Sequence, residues 1–397
     1  MKSLRRTSAV LECADSCQLQ YIAWTRANEM LGHVQLRKRL YRTRHDECAP
    51  ILVSGFSILP AHFLASSCRH THVYHRLLLL YRYGLQCPHA ILAEDKHLPL
   101  FEEITKEPFT PEYVAGGSCQ NSIRVAQWML QEPGATMYFG CVGNDANAKI
   151  LRECATADGV RVEYLVDETT PTGTCAVLIE AKDRSMVANL AAANKYNIEH
   201  LKKPENEALW KSAKQYFVEG YFLTVTPDSL LHVSEYAVSA NKSFGISLSA
   251  PFICQFFTKP LLSVLANSDI VFGNETEAAT IATTMGWEEN TPATIAKAIA
   301  TKIEKNFTHD RMVIITCGAD DVCVAIGENI MTFKTPVMPA EEIVDTNGAG
   351  DAFAGGFLAA RLKGCDVEKC VSAGNYAAQH ILRTSGTKLT GKPTFTF

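Results

Sequence analysis

The run Asp345-Thr-Asn-Gly-Ala-Gly-Asp351 sets a carboxylate beside three consecutive residues with little or no side chain. The backbone N–H groups of Gly348, Ala349 and Gly350 can form a nest for an anion, and a helix starting near Asp351 would add the positive end of its dipole. A base next to an oxyanion cradle is what transfer of a phosphoryl group to an alcohol requires. A blander reading competes: a tight turn in which Asp351 only caps the helix, and the four residues Gly348 to Asp351 taken alone favour it. Two other glycine motifs are excluded. Phe353 stands where a dinucleotide fingerprint has its third glycine, and no G-x-x-x-x-G-K-[ST] loop occurs.

Three further groups could do related chemistry. In Tyr113-Val-Ala-Gly-Gly-Ser-Cys-Gln-Asn-Ser122, Gly116 and Gly117 let a ligand approach the backbone, Ser118 can cap a helix, and Asn121 lies one turn further on the same side. That grouping fits a small polar ligand such as a sugar, or else a plain capped helix. Asn274 and Glu277 are three residues apart at a helix start and share a face. They read equally as helix capping or as oxygens for a hydrated Mg²⁺, which needs few protein ligands. Arg184 stands at the tip of a hairpin, where an arginine by itself reads as solvated.

The elements that would position these groups follow an α/β rhythm. Strands are expected at 136–142, 160–166, 216–218, 244–248, 269–272 and 312–318, with helices at 146–158, 227–240, 260–266 and 366–383 between or after them. Hairpins are expected at 174–190 and 322–333, and an apolar run ending at Val344 reads as a strand before the glycine turn. Several of the candidate groups fall where a strand ends and a helix begins, the edge at which open α/β sheets bind ligands.

Composition bounds the rest. The 397 residues are 47% hydrophobic and 20% charged with a net charge of -4, ordinary for a globular protein and no reason to expect nucleic acid. The fourteen Cys lack paired C-x-x-C spacings, which favours reduced thiols and a cytoplasmic setting. A break lies near residue 90: the first 90 residues hold 12 Lys+Arg against 5 Asp+Glu, the remainder 26 against 37. The basic run Arg37-Lys-Arg39 with Arg42 and Arg44 reads first as a solvated face and second as a nuclear address. Met1 to Ser8 is a weak organelle-targeting signal, 48–68 a poor membrane span, and Cys68 to His75 a weak zinc cluster.

With these residues assembled, the chain from about Leu85 to Phe397 resembles the ribokinase family of carbohydrate and nucleoside kinases. Asp345 to Asp351 resembles one signature of that family and Ala115 to Ser122 the other. Arg184 to Asn194, Ser249 to Ile253 and Phe272 to Ala279 are similar to the adenosine kinases within it more than to the sugar kinases. The resemblance implies a three-layer α/β/α sandwich with a small β-sheet lid, in which ATP and Mg²⁺ phosphorylate the 5′-hydroxyl of adenosine to AMP, a purine-salvage reaction. It makes Asp351 the general base, Gly348, Ala349 and Gly350 the anion cradle, and Arg184 the cation that neutralises the transferred group. It places Mg²⁺ at Asn274 and Glu277, a monovalent cation such as K⁺ at Asp345, and ATP along Thr316, Gly318 and Asn375. The ribose would meet Gly116, Gly117, Ser118, Asn121 and Asn347, and the adenine Leu92, Cys175, Met186, Ala188 and Phe222. The implied state is a monomer acting on a small molecule, with no nucleic acid or membrane partner.

One departure stands out. Adenosine kinases begin with a strand ending in Asn-Pro-Leu-Leu-Asp whose Asp grips the ribose, and no Asn-Pro precedes residue 91, Asn28 being the only Asn in residues 1–90. The first strand of the family fold is therefore expected to be missing, with 1–82 an unrelated, poorly ordered segment and 83–397 the kinase domain, its lid built from about 83–118 and 172–190. Loss of that Asp leaves a non-catalytic nucleotide-binding protein, or a kinase of another nucleoside or a sugar, as alternatives. Ala340 is a smaller departure, falling where some relatives carry Gln.

Overall fold

A computed structural model describes residues 21–24, 79–85, 89–106, 109, 111, 113–180 and 183–397. The calls on Met1 to Ser8, Arg37 to Arg44, 48–68 and Cys68 to His75 lie outside the described residues. Twelve strands are described: β1 (Tyr21–Trp24), β2 (His89–Leu92), β3 (Thr136–Gly143), β4 (Arg161–Asp167), β5 (Thr174–Glu180), β6 (Asp183–Asn189), β7 (Gln215–Glu219), β8 (Ser243–Ser247), β9 (Ile270–Asn274), β10 (Met312–Cys317), β11 (Asp320–Ile326) and β12 (Asn329–Phe333). The helices that matter for the site are α1 (Ser118–Leu130), α2 (Ala146–Ala157), α3 (Pro227–Ser239), α4 (Thr258–Leu265), α5 (Glu275–Thr284), α6 (Pro292–Lys302), α7 (Ala349–Leu362) and α8 (Val367–Leu382).

Nine strands form one sheet in the order β12-β11-β10-β9-β8-β7-β1-β3-β4, and β2-β6-β5 form a second. From β7 to β10 the strands run parallel. A parallel sheet needs cover on both faces, and alternation along each strand provides it. Val218, Ile246, Val271 and Val313 enter one buried cluster while Phe217, Ile270, Phe272 and Ile314 enter another on the opposite side. The second cluster is closed by α1, α7 and α8. All 13 residues of α1 are buried, as expected of a helix between a sheet and other helices.

The helix packing depends on absent side chains. A Cβ on Gly355 would lie 2.3 Å from Ser122 O, and one on Gly356 would lie 2.5 Å from Ala373 O. Gly355→Ala therefore pushes α7 off α1, the helix that carries Asn121. Overpacking of this kind should cost about 1–3 kcal/mol, read as a fall in the urea midpoint at unchanged slope.

The resemblance left the central sheet without its first strand. The chain has no Asn-Pro-Leu-Leu-Asp strand, but β1 pairs antiparallel with β7 (Tyr21 opposite Val218) and with β3 (Tyr21 opposite Phe139), so a ladder runs between these two strands. Two local expectations are corrected. The run ending at Val344 is not a strand: Ala340–Glu342 form a 3-10 turn, and Val344 N donates to Leu382 O at the end of α8, 2.8 Å away. Ser118 is not the cap of α1 either. Gly117, at φ +99°, holds the N-cap position, and Ser118 is the first helical residue.

Candidate active site

The glycine turn before α7 is built as its composition suggests. Gly348 is the N-cap at φ +72°, a left-handed conformation that favours glycine, and a Cβ there would meet Thr387 Oγ1 at 2.6 Å. The helix begins at Ala349, two residues before the expected start, so Asp351 sits in its first turn and not at the cap. Asp345 fastens the loop: its carboxylate accepts from Asn347 N (2.9 Å) and from Gly386 N (3.0 Å).

The decisive contact crosses the chain. Asn121 Nδ2 donates to Asp351 Oδ2 at 2.9 Å, joining residues 230 positions apart. Asn121 Oδ1 and Ser118 Oγ are buried and have no hydrogen-bond partner. Buried polar atoms are normally satisfied, so these two oxygens, three residues apart, are left able to accept hydrogen bonds.

One cavity at the carboxyl end of the parallel strands gathers much of the predicted set: Ser118, Asn274, Glu277, Thr316, Gly348, Gly350 and Asp351 line it together. Glu219, Tyr221, Ser247, Ser249 and Phe272 line it too; none is a candidate site residue from the sequence, although Ser249 and Phe272 begin two of the segments similar to adenosine kinases. The usable signal for Glu219 is an acid closing the apolar strand Gln215–Glu219.

Asn274 and Glu277 interlock. Asn274 Oδ1 accepts from Glu277 N (2.8 Å), while the Glu277 carboxylate accepts from Asn274 N (2.9 Å) and Asn274 Nδ2 (2.8 Å). These bonds form a reciprocal cap of α5, which is the capping reading of the pair. The lining residues hold three carboxylates (Glu219, Glu277 and Asp351) and no Lys, Arg or His. Oxygen groups stand in this wall beside the apolar Phe272, Phe353 and Ala354, and oxygen is the donor type that a hard divalent cation takes; among the described residues no cluster of three or more His, Cys, Asp or Glu is arranged to hold a metal ion.

Burial pushes the Glu277 carboxyl up to about 8, with the charges of Glu219 and Glu275 adding to the rise. Unfolded, it titrates near 4.5. The folded state thus holds this proton while the unfolded state has lost it, and stability falls as pH rises from about 4.5 to about 8, by at most ~5 kcal/mol. Glu277→Gln should remove that slope. In metal-free buffer its unfolding free energy relative to wild type should rise across this window; a pH-independent difference would show that the carboxyl is not perturbed.

The residues expected around adenine form a separate group on the small sheet. Leu92 on β2 is opposite Ala188 on β6, which is opposite Cys175 on β5, and Met186 lies two residues along β6 on the same face. Phe222 packs edge-on to Tyr196 (5.4 Å), in a buried cluster that Leu92 also touches. The backbone of Arg184 lies in β6 opposite Ile179. Gly318, at φ +58°, lies between β10 and β11, and Asn375 is buried on α8.

Residues 80–394 match the pfkB family of carbohydrate kinases. The chain is 48% identical to adenosine kinase 2 of Arabidopsis thaliana over 316 residues, 80% of this chain and 91% of that protein. It is 44% identical to adenosine kinase of Dictyostelium discoideum over 317 residues, 80% of this chain and 92% of that one. Among solved structures it is similar to Anopheles gambiae adenosine kinase in complex with P1,P4-di(adenosine-5) tetraphosphate, with a TM-score of 0.77 and 44% identity over 80% of this chain and 94% of that one. A Schistosoma mansoni adenosine kinase in complex with 2-fluoroadenosine gives a TM-score of 0.74 at 33% identity, covering 79% of this chain and 92% of that one.

Proposed function

The chain belongs to the pfkB family of carbohydrate kinases, and we propose that it transfers the γ-phosphoryl group of ATP to the 5′-hydroxyl of adenosine, giving AMP and ADP. The observation that carries this reading is the Asn121–Asp351 hydrogen bond. It binds the two signature regions into one site, and it gives Asp351 a partner other than the helix end it was suspected of merely capping.

In this reaction Asp351 accepts the proton of the 5′-hydroxyl as its oxygen bonds to the γ-phosphorus. The bond from that phosphorus to the β,γ-bridging oxygen breaks, and ADP leaves. The amides of Gly348, Ala349 and Gly350 hold the negative oxygens at the dipole end of α7. Arg184 neutralises the transferred group from the small sheet. Gly116, Gly117, Ser118, Asn121 and Asn347 bind the ribose, while Leu92, Cys175, Met186, Ala188 and Phe222 enclose the base. Thr316, Gly318 and Asn375 lie along ATP.

Asn274 and Glu277 would hold Mg²⁺ through water, and the ion would offset the charge on the phosphates. Asp345, whose carboxylate already receives two amides, is the place for a monovalent cation. No helix among the described residues is long and apolar enough to cross a membrane. We place the enzyme in the cytoplasm as a monomer acting on free nucleoside.

A substrate panel tests the assignment. With ATP and Mg²⁺, kcat/KM for adenosine should exceed that for ribose or fructose by at least ~10²-fold, since a site built to hydrogen-bond particular groups rejects ligands that leave them unpaired. Turnover of a sugar by folded protein that ignores adenosine would overturn it.

A further inference from the structure

The glycine pair assigned to the ribose is the most pliable backbone of the site. Gly117 sits at φ +99° and ψ +113°, and a glycine loses more conformational freedom than any other residue when a fold holds it still. Three groups of α1 reach back to the carbonyls of this segment. Asn121 N donates to Gly117 O at 2.8 Å, as an ordinary helical bond, and two side chains supply the rest: Gln120 Nε2 donates to Gly116 O at 3.2 Å, and Arg124 Nη1 donates to Ala115 O at a longer 3.5 Å.

Gln120 is fully buried, and its amide lies only one way round. A carbonyl oxygen accepts and never donates, so the amide nitrogen faces Gly116 O, and the amide oxygen accepts from the Tyr164 hydroxyl on β4. Burial pushes the Tyr164 phenol above its ordinary pKa, which keeps it a donor. Arg152 of α2 lies over the Tyr164 ring, 4.9 Å from its centre, and Asp158 Oδ2 accepts from Arg124 Nε at 2.6 Å. The side chains that hold the glycines are thus braced from β4 and from the end of α2.

In a planar trans peptide the N–H points away from the carbonyl that precedes it. Fixing Gly116 O on the Gln120 amide therefore fixes the Gly117 N–H, which points the opposite way. We propose that Gln120 is a positioning residue for the nucleoside: through the Gly116 carbonyl it aims the Gly117 N–H, and with it the grip of this segment on the ribose. This inference rests on the proposed adenosine kinase function.

The competing role for Gln120 is to tie α1 to β4 and nothing more. Two variants separate the roles. Gln120→Met removes the bond to Gly116 O, whereas Tyr164→Phe removes the brace behind it and leaves that bond in place. The probes are adenosine and an imido analogue of ATP, each titrated by calorimetry, with thermal melting measured in parallel. Both variants should melt below wild type. Q120M should bind adenosine roughly 10-fold or more weakly, the scale of one misdirected hydrogen bond, and bind the ATP analogue within about twofold of wild type. The KM for adenosine should rise in step while the KM for ATP stays in place. Y164F should keep its adenosine affinity within about threefold. If Q120M does not fold, Gln120→Asn, whose amide is one methylene short of Gly116 O, replaces it and should show the same split between adenosine and the ATP analogue.

Unaltered adenosine affinity in the folded Gln120 variant, or an equal loss in Y164F, overturns the proposal even where the wild type makes AMP. A wild type that binds adenosine and makes no AMP, with that binding weakened in Q120M, removes the kinase assignment and leaves the positioning role standing.

Discussion

Replacing Asp351 by Asn should reduce AMP formation by about 10³-fold, the scale of a positioned general base, with the fold intact. Asn is nearly isosteric and keeps an oxygen that can accept from Asn121 Nδ2, so the 2.9 Å contact between α1 and α7 survives. It has no means of taking the hydroxyl proton. The loss should fall on kcat and leave the KM for ATP nearly unchanged, because the Asp351 carboxylate is assigned to the substrate hydroxyl and not to ATP. Circular dichroism and melting of the variant separate lost chemistry from lost structure. A kcat within tenfold of wild type would remove Asp351 from the role of base.

The second large effect lies far from the cavity. Arg311 is fully buried at the start of β10, and its guanidinium donates to five backbone carbonyls: Ser268 O (3.0 Å), Ile299 O (2.9 Å), Ile303 O (2.9 Å), Leu265 O (2.9 Å) and Glu304 O (2.7 Å). Leu265 ends α4, and Ile299 lies in the last turn of α6, with Ile303 and Glu304 just beyond it, so one cation satisfies the exposed carbonyls of two helices. Burial lowers its pKa to about 10, which still leaves it charged at neutral pH. Arg311→Met keeps the apolar stem and removes all five donors, although Leu265 O retains the bond from Ser268 N. At 1–3 kcal/mol for each buried group left unsatisfied, and allowing for water entry, the cost should be at least ~4 kcal/mol. Arg311→Lys, with three donors for five acceptors, should fall between. Urea unfolding of the three proteins checks the order; a Met variant as stable as wild type would show that the network contributes nothing.

Much of this architecture can be read from local pattern. The strand order from Thr136 to Phe333 follows from apolar runs and glycine turns, with boundaries that move by only a few residues, whereas the helices Pro204–Ser212 and Pro292–Lys302 are not among those expected. The hairpin expected at 174–190 is the antiparallel pair β5 and β6. The Gly348 turn and the Asn274/Glu277 pair are legible because their function depends on spacing within one turn of chain. What local pattern cannot carry is pairing between distant residues. The Asn121–Asp351 bond is invisible until α1 packs on α7, and the resemblance, not the spacing, suggested that the two regions belong together.

Other features fail for the same physical reason. Glu219 is an isolated acid with no motif around it, and Ser249 reaches the cavity only from a turn that holds it at φ +66°. Arg311 resembles any charge that begins a strand until the ends of two helices converge on it. The pairing of Tyr21–Trp24 with β3 and β7 is set by a gap in the sheet more than 100 residues away in the chain. Val344 was misread because an apolar residue can equally end a strand or be pinned beside a helix terminus; it is 63% exposed.

The most direct test mixes purified protein with adenosine, ATP and Mg²⁺ and follows nucleotides by chromatography. AMP and ADP should appear in equal amounts, dependent on adenosine, on Mg²⁺ and on Asp351. Folded protein that yields no AMP, or that forms ADP at the same rate without adenosine, would contradict the assignment.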